Sequence, residues 1–70
     1  MYPNTVKIII SLIKGLGYKD FTVVPAMLSQ GTWFIEDDEN TIVIHLAGYP
    51  DSRGRIRVSD QIEFENPLQK

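Results

Sequence analysis

The chain has no cysteine and a single histidine, His45. Those two scarcities remove the usual staples of a very small domain, because no disulfide can form and no zinc site can be assembled from cysteine and histidine. Long apolar runs are missing too. The Ile-Ile-Ile-Ser-Leu-Ile stretch of residues 8–13 is too short for a signal-peptide core and far below the roughly 18 residues of a membrane span. Neither sign of charge dominates: seven Lys and Arg against nine Asp and Glu leave a net charge of −2, which gives no overall attraction to nucleic acid or anionic lipid. No phosphate-binding loop is present, since Gly15-Leu16-Gly17 lacks the third glycine, the preceding strand and the following helix of a dinucleotide fingerprint. The expectation is a cytoplasmic protein with no cofactor, no metal and no membrane association.

What is there suits one small folded domain spanning residues 1–70. Hydrophobic content of 43% and charged content of 23% are ordinary for a globular chain and argue against disorder. A chain this short buries only about 60% of the surface its unfolded form exposes, so packing or self-association must supply what disulfides and metals do not.

Asn4, Lys7, Ser11 and Lys14 recur every three or four residues and form a polar stripe, with Val6, Ile9, Ile10, Ile13 and Leu16 opposite. That spacing predicts a helix over 4–15, entered through Pro3 and stopped by Gly15 or Gly17. The stripe is narrow, and Ile8 and Leu12 lie on its flanks, where a partner or a second copy would cover them.

Alternating and β-rich runs predict strands over 19–24, 32–36, 41–47, 55–59 and 62–65, with a frayed tail at 66–70. The clearest unit is a hairpin around the turn Asp37-Asp38-Glu39-Asn40. Its register sets Ile35 opposite Ile42 and Trp33 opposite Ile44 on one face, with Phe34 opposite Val43 and Thr32 opposite His45 on the other. Phe34 and Val43 then need cover from sheet curvature, from the C-terminal segment or from a partner. In the last two strands Ile56, Val58, Ile62 and Phe64 are expected to point inward, and Arg55, Arg57, Glu63 and Glu65 outward. The fold class is therefore α+β: one N-terminal helix packed on a curved, mostly antiparallel sheet of four to five short strands.

Candidate chemistry is sparse. Four consecutive carboxylates, Glu36 to Glu39, lack the spaced ligands and glycine of a calcium loop and read as a solvated turn. His45 sits in an apolar strand, and none of Ser11, Ser29, Ser52 or Ser59 lies in a nucleophile motif. No catalytic residue is assigned, and the chain is expected not to be an enzyme. All three arginines, Arg53, Arg55 and Arg57, fall at alternate positions of one stretch after a Tyr49-Pro50-Asp51 turn signal.

Two functions follow. The first is a small non-enzymatic protein–protein interaction module, a regulator or inhibitor of a larger protein that can itself be a homodimer, using Arg53, Arg55, Arg57, Tyr49, Phe34, Val43, Ile8 and Leu12. The alternative is a nucleic-acid-binding accessory protein in which the arginine row, about 7 Å apart along a strand, tracks phosphates with help from Lys19 and a stacking Tyr49.

Overall fold

The computed structural model describes residues 1–65, and the expected fraying of 66–70 lies outside the described residues. Helix α1 (Asn4–Gly15) is followed by strands β1 (Thr22–Pro25), β2 (Thr32–Glu36), β3 (Thr41–His45) and β4 (Gln61–Glu65). The strands form one antiparallel meander in the order β1-β2-β3-β4. The fold is thus α+β, one N-terminal helix on a four-strand sheet.

Local chemistry sets the ends of α1. Pro3 stands at the N-cap and leaves no side-chain cap, while Lys14 places a positive charge in the last turn, where the helix dipole is negative. The stop is a Schellman motif: Tyr18 N–H donates to the Ile13 carbonyl, Gly17 N–H donates to that of Lys14, and Gly17 carries the left-handed φ of +97°.

The hairpin of β2 and β3 has the register the sequence predicts, with Ile35 against Ile42, Trp33 against Ile44, Phe34 against Val43 and Thr32 against His45. Its turn is held by one side chain. Asp37 Oδ1 accepts from the backbone N–H of Glu39 at 2.8 Å and of Asn40 at 2.6 Å, an Asx turn that adds to the backbone bond from the Asp37 N–H to the Asn40 carbonyl at 3.0 Å.

The core lies between α1 and the sheet face carrying Ile35, Ile42 and Ile44. Val6 and Ile44 are fully buried there, and Ile9, Ile10, Ile13, Phe21, Val23, Trp33 and Leu46 pack around them. Burying each large aliphatic of this group contributes about 1.5–3 kcal/mol. Tyr2 adds an edge-to-face contact with Trp33 at 5.6 Å between centroids.

Two expectations fail here. Residues 55–59 are not a strand: only an isolated bridge joins Pro50 to Ile56, and Val58 is 97% exposed rather than inward. Ile62 and Phe64 do share the pleat of Ile44 and Ile42, their register partners, yet they are 40% and 80% exposed. The reason is width. A helix about 10–12 Å across covers little more than two strands spaced about 4.8 Å apart, so a single helix centred over β2 and β3 leaves β4 bare. Smaller differences are that β1 starts at Thr22, not at residue 19, and β3 ends at His45, two residues early.

Candidate functional site

Because α1 stops short of β4, a groove of about 440 Å³ opens between them. Leu12, Ile13 and Leu16 form its helix wall, and Ile62 and Phe64 its strand wall, with Ile42 among the residues between them. Leu12 is 59% exposed and Leu16 is also exposed. Glu36, Asp37 and Asn40 also line the groove, so part of its rim is acidic. Ile8 lies one helical turn before Leu12 and is exposed, but it does not line this groove.

The far face of the sheet differs. Val43 is buried and Phe34 half-buried there, so these two residues present little surface. Beside them runs a polar seam: Ser29 Oγ lies 3.0 Å from Thr32 Oγ1, Thr32 Oγ1 lies 3.2 Å from His45 Nδ1, and His45 Nε2 lies 3.6 Å from a Glu63 carboxylate oxygen. Hydroxyl, imidazole and carboxylate in sequence have the outline of a catalytic triad. Thr32, however, is buried, and the groove opens on the opposite face. A hydroxyl that no substrate can touch does no nucleophilic work, and the seam instead pins the β2–β3 pair at its open end.

The arginine stretch is a small hairpin of its own. Gly48 N–H donates to the Arg57 carbonyl at 2.8 Å, Arg57 N–H to the Tyr49 carbonyl at 3.0 Å, and Asp51 N–H to the Arg55 carbonyl at 2.8 Å. At the tip, Gly54 takes a φ of +82° and Asp51 Oδ1 accepts from the N–H groups of Arg53 and Arg55. Arg53 therefore sits on the turn and Arg55 on the arm leaving it. Arg57 folds back, its Nη1 donating to the Pro50 carbonyl at 3.0 Å, while its buried Nε has no partner among the described residues. The straight row of three guanidinium groups does not form. Asp51-Ser52-Arg53-Gly54 carries the signal for this turn, an aspartate at the first position and a glycine at the left-handed one.

The excursion is anchored at both ends. Tyr49 lays its ring over Gly31. Lys19, expected to join the arginines on a nucleic acid, stands exposed before β1. Asp60 accepts the Ala47 N–H at 2.7 Å through Oδ1 and the Thr5 hydroxyl through Oδ2, tying the loop to the first turn of α1. Sequence reading gave Asp60 no role, because its partners lie far away along the chain.

Three aspartates hold turns by accepting backbone N–H groups, and each carboxyl is held below its ordinary value of 3.8. For Asp60 the cause is the Ala47 N–H and then the Thr5 hydroxyl; for Asp37 the N–H of Asn40 and then of Glu39; for Asp51 that of Arg55 and then of Arg53. A group lowered on folding stabilises the fold above its unfolded value, and that contribution is lost as pH falls through the folded value. Thermal melting is therefore expected to be flat from neutral pH to about pH 5 and to drop below about pH 4. In Asp60→Asn that acid drop is expected to shrink. An unchanged acid limb would remove Asp60 from the account.

Among the described residues, no group of three or more His, Asp or Glu lies close enough to hold a metal ion, and no helix is long and apolar enough to cross a membrane. Compared with family models, with curated proteins and with solved structures, the chain matches none.

Proposed function

We propose that this chain is a small non-enzymatic interaction module, a regulator or inhibitor that docks onto protein along the groove between α1 and β4. The observation that carries this reading is the apolar wall of Leu12, Leu16, Ile62 and Phe64, all exposed, on a chain whose described residues bury only five apolar side chains. Contiguous apolar surface of this kind marks protein contact, and covering Phe64 alone contributes about 2–3 kcal/mol. Leu12 is part of this wall, and Ile8 lies exposed one helical turn before it, outside the groove. Arg53, Arg55 and Tyr49 belong to the neighbouring loop hairpin.

The nucleic-acid alternative draws on the same arginines. With Arg57 turned onto Pro50 and acidic Glu63 and Glu65 on β4, we favour protein as the partner.

The test is selection of displayed random peptides on the wild-type protein, followed by binding of the winners to Leu12→Lys and Phe64→Lys. Both positions are exposed, so melting temperature is expected to hold while binding weakens by about tenfold or more. If the winners bind both variants as tightly as wild type, the groove is not the docking surface.

A further inference from the structure

The bare edge of β4 and the arginine hairpin are complementary to each other, side chain by side chain and bond by bond. The backbone alternation can be followed across the sheet. Asp37 N–H donates to the Asn40 carbonyl and Leu46 N–H to that of Gly31, so in the β2–β3 ladder the pairs that exchange hydrogen bonds are those of Ile42 and Ile44. Thr41, Val43 and His45 then turn their N–H and C=O groups to β4, where their partners are Glu65, Glu63 and Gln61. What remains on β4 is Ile62 and Phe64, whose N–H and C=O groups point away from the sheet and have no backbone partner among the described residues. In the loop hairpin, the backbone groups of Arg57 and the Arg55 carbonyl are used inward. Ile56, the bridge residue, therefore carries outward groups there, and Val58 follows in a bend that straightens if the pairing continues to it.

We propose that a second copy of this chain occupies the groove edge, with residues 55–58 of each copy pairing antiparallel to residues 62–65 of the other. This names the partner of the surface proposed above and rests on that surface being an interface. In the register that joins the outward groups, Phe64 meets Ile56 and Ile62 meets Val58, so four exposed apolar side chains extend the groove wall. On the other face Glu65 meets Arg55, and Glu63, which faces His45 in its own chain, meets Arg57, whose Nη1 donates to the Pro50 carbonyl. Within residues 62–65 each apolar position faces an apolar one and each glutamate faces an arginine.

The register is symmetric about Asp60. Pairing 62–65 with the second copy's 55–58 automatically places 55–58 against the second copy's 62–65, so the contact is isologous and closes as a two-fold dimer. The single like-charged meeting is Asp60 with its own copy at the axis, and each of those carboxylates already accepts from Ala47 and Thr5. Pairing β4 with β4 centred on Glu63 would instead oppose Glu63 to its own copy. The other sheet edge is blunted, since β1 is four residues long and ends in Pro25. Within one chain the same register would need a hairpin looped at 59–61. That closure is blocked by the Asp60 anchor and by the bonds of Arg57 to Gly48 and Tyr49.

Sedimentation equilibrium of the whole protein, from about 10 μM to about 1 mM, reads the result directly. Wild type is expected to shift from monomer to dimer across that range. Arg55→Glu and Glu65→Arg, both at exposed positions, are each expected to weaken the dimer by about tenfold or more, because the two-fold doubles each like-charge opposition. Combining them in one chain restores opposite charge at both symmetric sites and is expected to recover dimerisation to within about threefold of wild type. A wild-type protein that stays monomeric at the top concentration overturns the second-copy assignment, as does a double variant no better than the singles. Neither result touches the groove reading, which the peptide selection with Leu12→Lys decides alone.

Discussion

Gly31→Ala will leave the protein largely unfolded at room temperature. Gly31 has a φ of +74°, a conformation that costs an alanine about 1–2 kcal/mol. An added Cβ would also fall within van der Waals contact of Tyr49 Cγ and 2.7 Å from Tyr49 Cβ. Those atoms sit at the root of the tyrosine, so the backbone of residue 49 must move with them. That backbone is the arm of the loop hairpin that bonds Arg57, and Gly31 itself accepts the Leu46 N–H. Strain and overpacking together are expected to destabilise by about 3 kcal/mol or more, most of what a core this small supplies. Urea denaturation of Gly31→Ala and of Gly31→Ala with Tyr49→Ala measures it. The double variant should regain the overpacking part and keep the φ part. A single variant within about 0.5 kcal/mol of wild type would show that the loop yields freely. Gly17 offers the contrast: its φ is also positive, but a Cβ there meets nothing within 4 Å.

Ile44→Ala is expected to have an effect of similar size, about 3–4 kcal/mol of lost stability. Ile44 is fully exposed to nothing but protein: it lies on β3, flanked by Trp33 and Ile62 in register and buried with Val6 beneath α1. Its neighbour in the same row, Ile62, is of identical chemistry and partly exposed. Ile62→Ala should therefore cost less than half as much in the monomer, since truncating an exposed side chain leaves no cavity. Chemical denaturation at low protein concentration separates the two. Equal losses would mean that α1 covers β4 as well as β3 in solution.

The parts of this fold that could be read from sequence are those governed by near neighbours. The Asn4–Gly15 helix follows from the spacing of Val6, Ile9, Ile10 and Ile13 and from glycine at the stop. The β2–β3 register follows residue by residue once Asp37 to Asn40 is taken as the turn, because a four-residue polar run between two β-rich segments leaves few ways to pair them. The arginine stretch departs from the strand that its alternation predicts for a physical reason. Arg55-Ile56-Arg57-Val58 alternates as well as any strand, and alternation states which side chains agree, not whether a partner edge is at hand. The Asp51–Gly54 turn diverts the segment onto Tyr49 and Pro50 instead. The exposure of Ile62 and Phe64 was also hidden, because their pleat is a local property and the reach of a helix over four strands is not. The groove exists only through that mismatch, and so no motif announces it.

The hydrogen bond between Thr5 and Asp60 joins positions 55 residues apart. The sheet, by contrast, is a meander in which each strand pairs with its sequence neighbour. During synthesis the β2–β3 hairpin can close while later residues are still being added, since short loops are cheap in entropy and domains assemble from the N-terminal side as they emerge. Helix α1, made first, has to wait. Its first turn is anchored only when Asp60 has left the ribosome, and until then the apolar side of α1 rests on a three-stranded sheet that lacks both β4 and the clamp. A chain held before Asp60 has emerged would therefore be kept at its most adhesive stage.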